Sequence, residues 1–451
     1  MKTVFIVISK DIIRRNILDT DFWPEFIKAN SGSNIVLIVE EGSENYYTKN
    51  FSAPNVTVRG IKRVVPTFFG SIVLFMVRTG IRSRSTTTYR RRAYARGSAG
   101  LLQTVFKTLI SVTIARLNIY KHFVRFLVLL MSTPKAVNDL FDEFKPNLVF
   151  AFSMIDNDFD IPIMIEAKRR KVRIVGMVRS WDNLNNHGLL AVLPDRILLQ
   201  NIWLVEIAKK LQAFDPEDLG VILVGLPHYD TYKNPDMYIK PREEFFNSIG
   251  LDPKKKLILL GGSDFYYSED ELPKILDKAI ESGEIKSTQV IFRPHPRSIF
   301  SIEDYHLQGL KNIKLDEGAK AFSDTEYFIN LMVHSDVIIN IASTLSIDAS
   351  VFDTPVICIN FDTPDKKLSH FESVHRLYDH FDHYEKLVSS GGVRTPTSPQ
   401  KLIKDINEYL ANPKLDKEGR RKIVEFFVEP FDGKSGERLS KILTNEVDKV
   451  G

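Results

Sequence analysis

The stretch Gln289-Val290-Ile291-Phe292-Arg293-Pro294-His295-Pro296 joins an apolar run to an abrupt polar end. An uninterrupted apolar run indicates a strand buried on both faces, as in a parallel sheet. The two prolines stop the strand and restrict the backbone on either side of the histidine. His295 is therefore predicted to lie at the carboxyl edge of the sheet, where ligands bind in folds of this class.

Similar apolar runs recur along the chain, separated by segments with helical patterning. In the first half they cover residues 3–9, 34–39, 56–65, 147–153, 173–178, 196–199 and 221–224, and in the second half residues 256–261, 289–293, 312–315, 337–340 and 356–360. Strands of this kind alternating with helices predict an α/β protein with two Rossmann-like, doubly wound domains facing across a cleft.

A polar, proline-bearing stretch near residue 235 separates the two series of strands. We therefore expect an N-terminal domain over residues 1–235, which would hold an acceptor, with a basic apolar insert at about 60–132. A C-terminal domain over residues 236–451 would bind the donor and carry the last helices.

Composition is ordinary for a globular protein, with 451 residues, 43% hydrophobic and 26% charged. The single cysteine, Cys358, rules out an intrachain disulfide and lies in a predicted core strand. The N-terminus lacks signal-peptide features, and no apolar run reaches the roughly eighteen residues needed to span a bilayer. These features predict a cytoplasmic protein.

The charge is strongly segregated. Residues 45–138 contain 16 Lys and Arg and no Asp or Glu, so with a total of +4 the other residues sum to −12. The flanks at 68–77 and 101–131 mix apolar residues with cations, as interfacial helices do, and residues 83–88 and 97–100 predict a mobile loop. We expect peripheral attachment to an anionic membrane on its inner face. The alternative is a core helix pair with a solvated basic loop. No nucleic-acid motif accompanies the charge, so no nucleic-acid partner is predicted.

A second phosphate-binding candidate follows the run at 337–340, in the sequence Asn340-Ile341-Ala342-Ser343-Thr344-Leu345-Ser346. Ser343 or Thr344 is expected to cap a helix whose first backbone N–H groups attract an anion, and Ser346 is a further candidate. Plain capping is the alternative. Arg293 could add a bidentate phosphate contact. The remaining donor-side candidates follow two other strands: Ser263, Asp264, Glu317 and Gly318.

Together, the Arg293-Pro294-His295-Pro296 turn and the Ser343-Thr344 helix start resemble the nucleotide-binding half of GT-B glycosyltransferases. The chain is most similar to bacterial surface-polysaccharide enzymes related to CDP-glycerol glycerophosphotransferases. The resemblance extends to three further segments and covers most of residues 145–440: Ser180-Trp181-Asp182-Asn183-Leu184, Gly225-Leu226-Pro227-His228-Tyr229-Asp230 and Phe431-Asp432-Gly433-Lys434-Ser435. Ala342-Ser343-Thr344 departs from the usual Tyr-Ser-Ser, which disfavours a CDP-polyol donor, and the insert has no counterpart.

The resemblance implies transfer from a nucleotide-activated sugar without a bound metal or cofactor, with CMP, CDP, UDP and GDP as possible nucleotides. A general base for the acceptor hydroxyl is expected after a strand of the first half. Asp182 is the first candidate, Asp156 the second and His187 the third, while His295 would act on the donor. Alternatively, Asp182 fixes its loop while Trp181 packs. Acceptor-binding candidates also follow strands: Lys10, Arg15, Arg179, Ser180, Trp181 and Asn183.

The main hypothesis is therefore a glycosyltransferase of polysaccharide, capsule or lipopolysaccharide biosynthesis. It would move a sugar to a cell-surface glycan or lipid-linked acceptor at the cytoplasmic membrane face. Three alternatives stay open: a polyol-phosphate transferase, a UDP-sugar 2-epimerase of the same fold, and a non-catalytic scaffold. Free epimerised sugar formed without an acceptor would favour the epimerase.

Overall fold

The computed structural model describes residues 1–155, 158–215, 217, 219–263, 270–295, 303–316, 324–341, 343–363 and 368–450. The chain divides into two compact units. Unit 1 contains Met1–Arg90, Ala99–Lys233 and Phe426–Gly451, and unit 2 contains Arg91–Ser98 and Asn234–Glu425. Each unit is an α/β domain built on one parallel sheet, so the predicted fold class is confirmed.

Unit 1 has a seven-stranded sheet in the order β3-β2-β1-β4-β5-β6-β7, and every neighbouring pair is parallel. Its strands are β1 (Thr3–Ile8), β2 (Asn34–Glu40), β3 (Val56–Ile61), β4 (Leu148–Ala151), β5 (Arg173–Met177), β6 (Arg196–Leu199) and β7 (Ile222–Leu223). The apolar runs of β1 and β4 are fully buried because helices cover both faces of the sheet.

Unit 2 has a six-stranded parallel sheet in the order β10-β9-β8-β11-β12-β13. Its strands are β8 (Lys256–Gly261), β9 (Thr288–Arg293), β10 (Ile313–Leu315), β11 (Val337–Asn340), β12 (Val356–Cys358) and β13 (Val393–Arg394). In each sheet the first strand in the chain has neighbours on both sides. The strand order therefore reverses there, and this is the point where ligands bind in open α/β sheets.

The helices follow in chain order. The first twelve are α1 (Asp11–Ile13), α2 (Phe22–Ala29), α3 (Glu44–Phe51), α4 (Phe68–Thr79), α5 (Arg84–Ala95), α6 (Leu101–Val112), α7 (Asn118–Leu129), α8 (Lys135–Phe144), α9 (Asp160–Arg169), α10 (Asn183–Asn186), α11 (Ile202–Leu211) and α12 (Pro227–Lys233). The others are α13 (Arg242–Ser248), α14 (Glu271–Glu281), α15 (Thr325–His334), α16 (Leu345–Val351), α17 (His375–His380), α18 (Asp382–Ser389), α19 (Pro399–Ala411), α20 (Lys417–Phe427) and α21 (Ser435–Lys449). A π-helical segment (Arg14–Leu18) continues α1, and Ile114–Arg116 forms a short 3₁₀ turn.

The two units differ from the predicted domains 1–235 and 236–451 in two places. The chain passes from unit 1 to unit 2 next to the expected boundary, but its last helix, α21, belongs to unit 1. In addition, Arg91–Ser98 of the insert is grouped with unit 2.

The insert is helical where a mobile loop was predicted at residues 83–88, so that prediction is wrong. The N–H of Thr86 donates to the Ser83 hydroxyl (2.8 Å), which is a helix-starting contact, and α5 begins at Arg84. Ser85 is fully buried, where the Asn185 amide donates to its hydroxyl (3.2 Å). No helix in the described ranges is long and apolar enough to cross a membrane.

Candidate functional site

Three predicted donor-side residues follow three adjacent strands of unit 2. Because the sheet order is β9-β8-β11, the loops after these strands leave the same carboxyl edge side by side. His295 comes two residues after β9, the buried Ser263 two residues after β8, and Ser343 three residues after β11. Neighbouring strands lie about 4.8 Å apart, so the three loops begin within about 10 Å. That these groups bind phosphate stays a prediction.

The turn from β11 into α16 is organised by the buried Asn340. Its carboxamide oxygen accepts from the N–H of Ser343 (3.2 Å), and its amide donates to the Ser346 hydroxyl (3.0 Å). The Ser343 hydroxyl in turn accepts from the N–H of Leu345 (3.2 Å), the first residue of α16. Thr344 is exposed, and its side chain makes no capping bond.

Ser346 has a different setting from Ser343 and Thr344. Its side chain is fully buried, and its hydroxyl lies within hydrogen-bonding distance of Asn340 and of the Cys358 sulfur (3.4 Å). Burial raises the pKa of the Cys358 thiol to about 12, which keeps that thiol protonated and inert. An enclosed hydroxyl of this kind positions the turn, and we assign Ser346 that role.

Arg293 is engaged within unit 2. Its Nη1 donates to the buried carboxylate of Asp316, which also accepts a hydrogen bond from the Tyr327 hydroxyl (2.6 Å). Burial and this bond to Asp316 raise the pKa of Tyr327. The Arg293 guanidinium also lies 5.5 Å from the centre of the Phe328 ring. The network joins the ends of β9 and β10 to α15, so Arg293 holds this edge of the sheet together.

The acceptor-side candidates lie at the carboxyl edge of the unit 1 sheet. Lys10 follows β1, and Arg179 follows β5. The Nη1 of Arg179 donates to the hydroxyl of Ser153 (3.0 Å), which follows β4, and the Asn16 amide is 3.4 Å from the Arg179 carbonyl oxygen. Arg15 reaches the Asn16 side chain through long contacts (3.3 and 3.4 Å). The structure thus brings Arg179 and the β4 end together at one edge.

The loop from Ser180 to Asn183 is held by its own hydrogen bonds. Asn183 is buried, accepts from the N–H of Ser180 (3.1 Å) and donates to Asp182 (3.1 Å). The second carboxylate oxygen of Asp182 accepts from Asn186 (2.9 Å). Trp181 is buried against Phe427, with ring centres 4.9 Å apart. Trp181 and Asn183 therefore hold the loop in place through packing and hydrogen bonds. That Asp182 acts as a general base stays a prediction.

Arg63, which lies two residues beyond β3, is not among the site residues predicted from the sequence. Its guanidinium donates to the Ser9 carbonyl oxygen (2.6 Å), to Asp158 (3.1 Å) and to Glu40 (3.0 Å). Asp158 belongs to the acidic run after β4. The sequence could have indicated Arg63 as a candidate, because a cation that directly follows a strand of a parallel sheet lies at the edge where ligands bind.

Two motifs on which the resemblance rested contact each other inside unit 1. Gly225 has φ of +81°, and a Cβ there would lie 2.3 Å from the Ser435 hydroxyl. Asp230 accepts from the N–H of Gly436 (2.7 Å) at the start of α21, and Arg438 donates to the Val224 carbonyl oxygen (3.1 Å). These motifs therefore dock the last helix onto unit 1.

The candidates Asp156, Asp264, Glu317 and Gly318 lie outside the described residues. His187 is exposed after α10. Across the parts of the chain that the structure describes, no group of three or more His, Cys, Asp or Glu side chains is arranged to hold a metal ion.

The comparison with family models gives no match. The chain is 25% identical over 276 residues to a UDP-N-acetylglucosamine 2-epimerase from Methanocaldococcus jannaschii. This alignment covers 59% of the chain and 66% of the relative, which is slightly less than two thirds of that enzyme.

Solved structures share the fold over nearly the whole chain. The M. jannaschii epimerase matches with a TM-score of 0.54 at 16% identity, covering 99% of this chain and all of the other. A glycosyltransferase from Rickettsia africae matches with a TM-score of 0.53 at 11% identity, covering 100% and 99%. The wall teichoic acid polymerase TagF, soaked with CDPG, matches with a TM-score of 0.52 at 11% identity, covering 99% of this chain and 89% of the other.

At these identities the structural matches establish the fold and nothing finer. The predicted GT-B fold is confirmed, since the two parallel-sheet units match the GT-B fold of the epimerase and glycosyltransferase structures. The predicted relation to glycerophosphotransferases has only the loose support of TagF. The epimerase, one of the predicted alternatives, is supported better than glycosyl transfer because an epimerase also matches by sequence, at 25% identity over 276 residues.

Proposed function

We propose that the protein binds a UDP-activated N-acetylhexosamine at the carboxyl edge of unit 2 and inverts the sugar at carbon 2. The observation that carries the proposal is the shared edge after β9, β8 and β11, which places His295, Ser263 and Ser343 on adjacent loops. The choice of UDP and of carbon 2 rests on the sequence match to the epimerase. The M. jannaschii epimerase has also been solved in complex with UDP-GlcNAc and UDP.

The edge of unit 2 offers neutral hydrogen-bond donors to a diphosphate. The Ser343 hydroxyl accepts from Leu345 and keeps its own proton for a ligand oxygen. The exposed Thr344 hydroxyl is adjacent, and α16 starts directly after it. In this proposal an imidazole at position 295 adds a further donor, while Arg293 stays paired with Asp316 and supports the strand end.

Inversion at carbon 2 requires the C2–H bond to break and to form again on the opposite face. The electron pair of the C2–H bond forms a C1=C2 bond as the C1–O bond to UDP breaks, while one group takes the proton from one face. UDP then adds back to carbon 1 as an acid delivers a proton to the other face of carbon 2. His295 is the first group to test, because it is titratable and follows a strand at the carboxyl edge of unit 2, where the nucleotide sugar is proposed to bind.

The reaction is tested by incubating the full-length protein with UDP-GlcNAc in D₂O with no acceptor, and following the sugar by proton NMR. We expect a second UDP-sugar to appear, with deuterium at carbon 2 and loss of the H2 signal. His295→Gln should slow this conversion at least about 100-fold, the usual size of acid–base effects. Ser282→Ala, at the C-terminus of α14, is the matched control and should convert at the wild-type rate.

Glycosyl transfer is the second candidate, and it is favoured by the exposed apolar insert, for which epimerisation of a free nucleotide sugar has no use. Unchanged UDP-GlcNAc in the first assay, followed by UDP release only when a lipid-linked or glycan acceptor is added, would replace the epimerase proposal with this one. Neither result would change the proposed binding of the nucleotide.

A further inference from the structure

The exposed apolar side chains of this protein are concentrated in one segment. Among the described residues, 23 large apolar or aromatic side chains are exposed, and 18 of them lie between residues 65 and 130. Phe68, Leu102 and Ile119 are 85%, 86% and 77% exposed. Ordinary surfaces scatter such residues singly, so a concentration of this size indicates a binding surface.

These side chains form faces with helical periodicity on α4, α6 and α7 of unit 1. On α7 the exposed residues Ile119, Phe123 and Phe126 follow the spacing i, i+4, i+7, while Val124 and Val128 are buried. On α6 only Ser111 is buried, and an apolar row runs along the helix. One apolar face of α7 thus packs into the core of unit 1, and a second apolar face of the same helix is exposed.

The three helices pack together, so their exposed faces belong to one surface. α4 contacts both α6 and α7, and the Phe75 and Phe106 rings stack with centres 5.9 Å apart. With roughly 150–200 Å² for a fully exposed large side chain, the surface presents on the order of 1,000 Å² of apolar area. The largest patch on a typical monomer is about 300–600 Å². We call this the α4-α6-α7 surface.

Part of the positive charge in this segment is used inside the fold. Lys121 and Arg125 are buried on α7 and donate to the backbone carbonyl oxygens of Leu211, Gln212 and Ala213 at the C-terminus of α11. Cations stabilise that end of a helix. Three other cations of the insert are exposed: Arg78 in the last turn of α4, Arg82 between α4 and α5, and Arg116 between α6 and α7.

We propose that the α4-α6-α7 surface docks onto an anionic lipid bilayer, with its apolar side chains in the headgroup–acyl boundary and its exposed arginines on lipid phosphates. Each of these helices has 12 residues and a length of about 18 Å, too short to cross a hydrocarbon core of about 30 Å. The helices therefore lie in the plane of the interface.

Charge decides between a bilayer and a second copy of the chain. A symmetric dimer would place this surface against itself. Because residues 45–138 contain no Asp or Glu, cations would then face cations with no carboxylate from this segment between them. An anionic membrane supplies both the apolar phase and the opposite charge.

Liposome co-sedimentation of the full chain tests the proposal. We expect binding to phosphatidylcholine vesicles containing phosphatidylglycerol, and at least about tenfold weaker partition to pure phosphatidylcholine or in high salt. Leu102→Ser combined with Ile119→Ser should weaken partition by about tenfold or more, since both side chains are exposed and their loss spares the core. Met237→Ser, at a position 79% exposed, is the matched control and should bind like the wild type.

Three outcomes would overturn the proposal. One is binding to neutral vesicles as strong as binding to anionic ones. Another is unchanged partition of the Leu102/Ile119 variant while its melting temperature matches the wild type. The third is a dimer, detected by sedimentation velocity without lipid, that dissociates in this variant. None of these outcomes bears on nucleotide binding by unit 2.

Discussion

Replacing Gly225 by alanine should loosen the last helix, α21, from unit 1. The Gly225 backbone has φ of +81°, which an L side chain adopts at a cost of about 1–2 kcal/mol. A Cβ would lie 2.3 Å from the Ser435 hydroxyl and 3.1 Å from the Pro430 carbonyl oxygen. Ser435 would have to move and would lose its hydrogen bond from Arg438, which adds about 1 kcal/mol. The sum is about 2–3 kcal/mol.

Hydrogen–deuterium exchange of peptides covering residues 435–449 measures this effect locally, without assuming that the two units unfold together. A loss of 2–3 kcal/mol corresponds to exchange roughly 30- to 150-fold faster, because 1.4 kcal/mol is a factor of ten. Gly42→Ala controls for backbone strain alone, since Gly42 has φ of +93° with no atom within 4 Å of the added Cβ. Adding Ser435→Ala to Gly225→Ala should recover part of the loss.

The docking account of Gly225 would be refuted by wild-type exchange of α21 in Gly225→Ala. It would also be refuted if Gly42→Ala accelerated α21 as much as Gly225→Ala did. In either case the contact between the two motifs would have another role.

Three further predictions concern buried ionisable side chains. Arg293→Met should lower the unfolding free energy of unit 2 by about 3–5 kcal/mol in denaturant unfolding, because Asp316 would keep a buried charge without the Arg293 cation. Adding Asp316→Asn should restore part of the loss. An unchanged unfolding free energy in Arg293→Met would contradict the structural role of Arg293. Arg125→Met should cost unit 1 about 2–3 kcal/mol in thermal unfolding because it leaves carbonyl oxygens unpaired, and an unchanged melting temperature would refute the capping role. Burial, and then the Arg15 charge, lower the pKa of His228 well below 6.5, so the unfolded chain takes up a proton that the folded chain cannot. Stability should therefore fall by about 1.4 kcal/mol per pH unit below pH ~6.5, and His228→Phe should flatten this dependence; equal slopes for the two proteins would exclude it.

The parallel sheets could be predicted because fully buried strands leave an uninterrupted apolar signature. β8 and β11 begin and end where the sequence pattern places them. β13 was missed because a two-residue strand, Val393–Arg394, has no room for such a run. The return of α21 to unit 1 was also missed, since an amphipathic pattern shows that a helix packs without showing on which sheet.

The edge of the sheet that carries the candidate site could also be predicted, because the carboxyl ends of parallel strands lie at the same edge. Individual roles were harder to predict. The sequence does not distinguish a serine whose hydroxyl is accessible to a ligand, such as Ser343, from one whose hydroxyl is buried, such as Ser346. The same ambiguity applied to Trp181, which packs against Phe427, and to Ser83, whose capping bond turned a polar stretch into a helix start.

Nucleotide binding at the carboxyl edge of unit 2 is tested most directly by thermal unfolding of the full chain with and without UDP. We predict that saturating UDP raises the melting temperature of the wild type, by mass action worth about 2.7 kcal/mol at 100 times the Kd. The shift should be abolished in His295→Ala, reduced in Ser343→Ala and unchanged in Ser282→Ala. A full UDP shift in His295→Ala and Ser343→Ala alike would contradict the account.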